Sequence, residues 1–278
     1  MAKSLMQLLQ KAINWSGLTS REDIKIFKKS LSNQLKFWLL AVSIGFIAGF
    51  AAVGFRQGVE VLQGLLYGST EAGSFTNFVE KLAWYWKVFI PMCGGLIVGV
   101  ILHKYTIDGR AKSVADVIQD AALNNGKINQ GGGIASAFAS LITLGSGGSS
   151  GREGPVVHLA AVISGWVCNK VQIDTVSNRD LLGCAVAAAV SASFNAPIAG
   201  ALFALEVVLR HFAIHAFAPI VIASVIGTVI NRLTFGNVTE FILPSANNLG
   251  FYIELPAFIL LGLCCGLIAV ILMKSLFW

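Results

Sequence analysis

Apolar residues in this chain come in long blocks separated by short polar stretches. The first block, 37–55, runs for 19 residues without a charge, about the length an α-helix needs to cross the hydrocarbon core of a bilayer. Further uncharged blocks lie at 88–102, 131–151, 154–169, 181–205, 212–230 and 255–273. Several are interrupted. Pro91 and Gly94-Gly95 fall inside the second block, Gly and Ser crowd 131–151, and Asn195-Ala-Pro197 cuts 181–205. Backbone groups cannot be left unpaired against lipid, so a broken helix survives at that depth only when it is buried in protein or lines a polar cavity. The pattern therefore predicts an all-α, polytopic membrane protein with broken, tilted helices. Helix ends meeting near the midplane are the arrangement that transporters use.

Composition agrees. Of 278 residues, 55% are hydrophobic and 12% charged, against about 25% charged in soluble domains. Residues 1–36 carry seven cations (Lys3, Lys11, Arg21, Lys25, Lys28, Lys29, Lys36) and only Glu22 and Asp23 as acids. A basic segment just before the first apolar block places the N-terminus in the cytoplasm. Leu5, Leu8, Leu9, Ala12 and Ile13 recur at helical spacing, so 1–36 reads as a cytoplasmic amphipathic segment and 37–278 as the membrane domain. Loop charges then put 104–130 inside, and 56–87 and 231–254 outside. The first block starts too late and runs too long for a cleaved signal peptide.

The basic face does not continue into the body of the chain, so no nucleic-acid partner is expected. The five cysteines show no CxxC spacing and read as packing residues. His211 and His215 share a helical face but have no further ligands in a metal-binding pattern, so neither a metal nor a cofactor is expected. Gly45, Phe46 and Gly49 read as helix-packing positions.

Chemistry concentrates in Gly145-Ser-Gly-Gly-Ser-Ser-Gly-Arg-Glu-Gly-Pro155-Val-Val-His158, which joins two apolar blocks. A phosphate-binding loop is excluded, because its glycine spacing and its following Lys-Ser/Thr are missing. Gly147-Gly-Ser149-Ser-Gly151 has the letters of a hydrolase nucleophile motif, with His158 as a candidate base, but its flanks are membrane helices rather than a strand and a helix. The third reading is an anion site at a helix start. Pro155 suits a first helical turn, and the unpaired N–H groups there carry roughly half a positive charge. Backbone binding of this kind is weak enough to release the ion. Glu153 sits at that helix start, where a carboxylate costs at least ~2.5 kcal/mol on insertion scales. Ionised, it would occupy the anion site as a tethered competitor; protonated, it would swing away. One residue would then both gate anions and carry protons.

Here the chain resembles the CLC family of chloride channels and proton-coupled chloride antiporters, over about residues 37–278. Gly151-Arg-Glu-Gly-Pro155 matches the family's GREGP signature, and Phe194-Asn-Ala-Pro197 with Ala199-Gly200 and Leu202-Phe203 matches the stretch that follows it. The resemblance implies an inverted-repeat helical fold, a homodimer with one pore per subunit, and small anions such as chloride as substrate. It makes Glu153 the gating glutamate and puts backbone N–H groups around Gly151, Arg152 and Gly154 on the external anion path. The family's first signature, roughly GSGIPE, corresponds to Ala111-Lys112-Ser113-Val-Ala115-Asp116; Lys112 falls on the anion-binding serine, with Ser113 beside it. Proton-coupled members often carry an internal glutamate at the position of Val207, and here the acid is Glu206, one residue earlier. The later GxFxP motif and pore tyrosine have no match, so the chain reads as the first repeat plus the start of the second. The expectation is a proton-coupled anion antiporter and not an enzyme, with a passive chloride channel as the alternative that Val207 favours.

Overall fold

The computed structural model describes residues 21–68, 79–80, 82–106, 108–124, 126, 128–171, 175–210, 214–236 and 251–277. Among these the regular structure is helical: α1 (Arg21–Tyr67), α2 (Trp84–Tyr105), α3 (Val114–Leu123), α4 (Gln130–Gly145), α5 (Glu153–Val171), α6 (Thr175–Phe194), α7 (Pro197–Phe203), a π-helical turn (Ala204–Leu209), α8 (Ile214–Phe235) and α9 (Phe251–Leu276). The chain forms two compact units, Met1–Val238 and Thr239–Trp278. Among the described residues, four stretches are long and apolar enough to cross a membrane: Gln34–Tyr67, Trp84–Tyr105, His215–Phe235 and Leu255–Leu276. The all-α membrane architecture expected from the apolar blocks is the one observed.

In the first unit, α6 lies at the centre, packed by α1, α5, α7 and α8. Residues 181–190 are all buried. They include four alanines and a glycine, and small side chains are what let helix backbones approach closely when lipid supplies no hydrophobic drive between helices. A Cβ on Gly227 of α8 would lie 2.1 Å from the Ala188 carbonyl oxygen, and one on Gly45 of α1 would lie 3.0 Å from Ala223 Cα. Buried hydroxyls join the same contact: Ser191 and Ser224 pair, and Ser224 donates to the Pro197 carbonyl.

Three boundaries differ from the sequence reading. α1 continues to Tyr67, through residues assigned above to a loop. Its charges are matched within the helix: Arg56 Nε donates to Glu60 Oε1 at 3.2 Å, one turn on, and the guanidinium lies 4.4 Å from the centre of the Phe235 ring. Pro91 and the Gly94-Gly95 pair leave α2 continuous, as bilayer-spanning helices tolerate such residues. The π-helical turn had no signal in the pattern. The break at Asn195 is real: Asn195 adopts φ +54°, and its Oδ1 accepts from Arg232 Nε of α8 at 2.8 Å. Gly45 and Gly49 meet α8 as expected, whereas Phe46 is exposed. The amphipathic positions at 5–13, and His211, lie outside the described residues.

Candidate functional site

The glycine-rich segment is the link between α4 and α5. α4 ends in a left-handed cap: Gly147 has φ +87°, its N–H reaches the Leu144 carbonyl at 3.3 Å, and the Gly148 N–H reaches the Thr143 carbonyl at 2.8 Å. Glycine suits that conformation, and the paired bonds satisfy the last carbonyls of the helix. The far end of α1 holds the link in place. Tyr67 Oη donates to the Ser146 carbonyl at 2.8 Å, and Gln63 Nε2 donates to the Leu144 carbonyl at 3.2 Å.

α5 then starts at Glu153, with Pro155 buried in its first turn, where the missing N–H has no intrahelical use. The first intrahelical bond runs from the Val156 N–H to the Arg152 carbonyl at 3.3 Å. The N–H groups of Glu153 and Gly154 thus head the helix without intrahelical acceptors. The Glu153 side chain is half-buried, 39% exposed, and its Oε1 lies 3.8 Å from Arg152 Nε. The carboxylate folds back toward its own helix start: a Cβ on Gly151 would sit 3.1 Å from Glu153 Oε2. A side chain at 151 would oblige that carboxylate to shift by a few tenths of an ångström.

The second expected strand of the site comes from before α3, and the fold brings it to α5. A Cβ on Gly154 would lie 3.7 Å from Ser113 Cβ, so Ser113 packs on the helix start that carries Glu153. Ser113 is the N-cap of α3, and Asp116 at the third helical position accepts from the Ser113 N–H at 2.8 Å. Lys112 stands differently. Its ammonium pairs with Asp108 and lies 3.4 Å from Asp116 Oδ1, while its backbone N–H donates to Ser136 Oγ of α4 at 2.6 Å. Its charge is spent on two carboxylates. Ser113, not Lys112, is the side chain set against the Glu153 helix start.

Sequence reasoning missed the ion cluster around Lys112. Arg110 grips Asp116 with both terminal nitrogens, at 3.0 and 2.6 Å. Burial alone would push the Asp116 carboxyl up, but Arg110, the Ser113 N–H and Lys112 outweigh it and hold the group at about 2. Lys112 raises no free positive field, since its own affinity for a proton is raised chiefly by the Asp108 carboxylate. The signal was present in the sequence as Asp108, Arg110, Lys112 and Asp116 at spacings of two and four, but which acid each cation meets depends on the turn between α2 and α3.

Glu206 and Val207 lie on the π-helical turn after α7, the acid exposed and the valine half-buried. Ser149 is exposed in the α4–α5 link and His158 is buried in α5, and no hydrogen bond joins them, so the nucleophile–base pair of the hydrolase reading is not assembled. His215 pairs instead with the buried carboxylate of Asp180, at 3.1 Å. Among the described residues no group of three His, Cys, Asp or Glu side chains could hold a metal ion.

Comparison with known proteins places this geometry in a family. The family model described as "Voltage gated chloride channel" matches residues 94–278. A putative chloride channel protein ClcB-like of Ralstonia nicotianae is 29% identical over 235 residues, 82% of this chain and 54% of that protein. Chloride channel protein CLC-f of Arabidopsis thaliana is 27% identical over 271 residues, 92% of this chain and 33% of that protein. The chain therefore spans about half the length, or less, of these curated relatives. Among solved structures, a slow cyanobacterial Cl⁻/H⁺ antiporter aligns with TM-score 0.65 at 17% identity, covering 84% of this chain and 54% of that one. A CLC-type fluoride/proton antiporter aligns with TM-score 0.60 at 22% identity, covering 87% and 55%. With its GREGP turn at the head of α5, its Asn-Ala-Pro break before α7 and a family match across most of its length, this chain belongs to the CLC family of voltage-gated chloride channels.

Proposed function

We propose that this chain supplies the anion- and proton-handling core of a CLC transporter that exchanges chloride or a similar small anion for protons. One observation carries the reading: the Glu153 carboxylate is folded over Gly151 at the start of α5, with Ser113 against the neighbouring Gly154. The helix start attracts an anion through its N–H groups and dipole. The carboxylate competes for that place. On protonation it loses its attraction to the helix start, swings out and lets an anion in. The backbone of Gly151, Arg152 and Gly154 lines the outer approach, and Ser113 stands on the inner side. In this reading the N-terminus is cytoplasmic and the working assembly is a homodimer.

The test is flux from liposomes loaded with chloride, with external chloride and pH recorded together. Antiport gives chloride efflux that drives protons inward in a fixed ratio. Glu153→Gln abolishes proton movement while anions still pass; a variant with normal coupling removes Glu153 from the mechanism. The second reading, a passive channel, is favoured by Val207, which puts an apolar side chain where a proton-carrying acid would serve. Chloride efflux from the unaltered protein with no proton movement would select it.

A further inference from the structure

The Glu153 gate has two parts, and different pieces of chain carry them. Glu153 belongs to the first turn of α5, which is seated by the buried run 155–158. Gly151, over which the carboxylate folds, belongs to the link between α4 and α5. Residues 149–151 are exposed. Beyond its chain neighbours, the only described atom within 4 Å of a Cβ on Gly151 would be Glu153 Oε2. Packing therefore does not fix Gly151 against α5. Its alignment depends on where the link is anchored.

The anchor lies at the α4 end, where Gly145 and Ser146 are buried. A Cβ on Gly145 would run into the Leu62 side chain of α1, and one on Gly94 of α2 into the Ser146 side chain. A Cβ on Gly147 would lie 2.7 Å from Tyr67 Oη. Glycine at these three positions lets neighbouring helices come against the backbone of the joint. Two donors then grip it. Gln63 and Tyr67, one turn apart on α1, reach the carbonyls of Leu144 and Ser146. Leu144 is still part of α4, and its carbonyl also takes the Gly147 N–H. Ser146 lies past the last residue of α4, so the Tyr67 bond fixes the peptide from which the link departs. That bond is buried, where a hydrogen bond is electrostatically stronger than in water. α1 stops immediately beyond. Gly68 has φ +76°, and its N–H reaches the Gly64 carbonyl at 2.8 Å, a cap that fixes the turn on which Tyr67 stands.

We propose that Tyr67 is a positioning residue for the gate: its hydroxyl, acting through the Ser146 carbonyl, sets the alignment of Gly151 with Glu153 and so the stability of the closed arrangement. The inference rests on the gating role of Glu153 given above and adds to it a residue of another helix that acts seven positions before the acid. The charges around Glu153 are Arg152 beside it and, across Ser113, Asp116 with Arg110 and Lys112. α1 meets the joint through Leu62, Gln63 and Tyr67, all neutral, while Arg56 and Glu60 pair with each other further back along the helix. A change at Tyr67 therefore leaves the charges around the acid as they are and alters only the alignment.

In this reading the ionised acid closes the path and protonation opens it. Weakening the closed arrangement lets the path open at a lower proton concentration. Losing one hydrogen bond shifts an equilibrium by up to about tenfold, which corresponds to about one pH unit. In liposomes, Tyr67→Phe, which keeps the ring and its packing, should raise the pH midpoint of anion flux by about one unit and lower the proton-to-anion ratio. The flux reached at low pH, where the acid is protonated in both proteins, should stay that of the parent. A midpoint that does not move, or moves down, overturns the inference. So does a fall in the low-pH flux without a shift in midpoint, which is what a merely structural tyrosine would give. If anion flux through the unaltered protein does not depend on pH, the gating role of Glu153 fails and takes Tyr67 with it, whereas failure of the positioning role alone appears only in Tyr67→Phe.

Discussion

α6 and α2 are both apolar helices of about twenty residues, and they end up in opposite environments. α6 is enclosed: every residue from 181 to 190 is buried. α2 is almost wholly exposed, with Trp84 at 77% and Leu96, Ile97 and Val100 facing outward. The difference lies in side-chain size rather than in polarity. α6 reads Leu-Leu-Gly-Cys-Ala-Val-Ala-Ala-Ala-Val-Ser-Ala-Ser-Phe, while α2 carries Trp, Tyr, Phe, Ile and Leu. In water the bulky apolar helix would go inside. In a bilayer lipid solvates it equally well, so the inside goes to the helix whose small residues allow close backbone contact and hydroxyl pairing. Trp84, Tyr85 and Trp86 at the start of α2, with ring centroids about 6 Å apart, suit the membrane–water interface, where aromatic rings gather.

The contrast can be broken most severely at Gly227. A side chain there drives into the Ala188 carbonyl, and the backbone of α6 cannot yield as a flexible side chain would. Gly227→Leu should cost about 3 kcal/mol or more, the upper range for overpacking. Denaturant titration in detergent should show loss of the folded, monodisperse chain. A variant as stable as the parent would mean that the α6–α8 contact is not what holds the centre.

A smaller effect belongs to the ion cluster before α3. Asp116→Asn removes the acceptor of the Arg110 pair and should cost about 1 kcal/mol near neutral pH, read as a fall in thermal midpoint. The same pair gives a pH signature. The carboxyl is held at about 2, below its ordinary value of 3.8, so its stabilising contribution is full above about pH 4 and is lost as pH falls through about 2. The Asp116→Asn variant should be flat across that window where the parent is not.

The smallest effect is expected on the other side of the comparison. Leu96→Ala, on the exposed face of α2, removes a side chain that has lipid as its neighbour, so stability should change by less than about 0.5 kcal/mol. A loss of several times that would mean that another protein surface, and not lipid, covers α2.

Much of this protein is legible in its residue pattern. The apolar blocks carry the membrane class, and Asn195-Ala-Pro197 marks the break between α6 and α7, because residues that disfavour a continuous helix act locally. The GREGP turn announces a helix start with an acid on it, and α5 does begin at Glu153. Three things are hidden in the pattern. The helical run through Arg56 and Glu60 is hidden because charges read as a loop until they are seen to pair across a turn and meet Phe235. The neutralisation of Lys112 depends on Asp108 and Asp116 converging through the turn after α2. The orphaned Nδ1 of His158 is invisible in sequence, where the histidine reads as a candidate base for Ser149.

By itself, then, the sequence determined the solvent this chain folds in, the places where its helices start and break, and the acid at the head of α5, since each follows from the chemistry of a few neighbouring residues. Only the tertiary structure decided which helix lies inside, which cation each carboxylate takes, that Ser113 comes to rest against Gly154, and that His158 is buried. Those outcomes depend on residues far apart in the chain meeting at a few ångströms, a distance set by how closely small-residue helices pack and not by any local pattern.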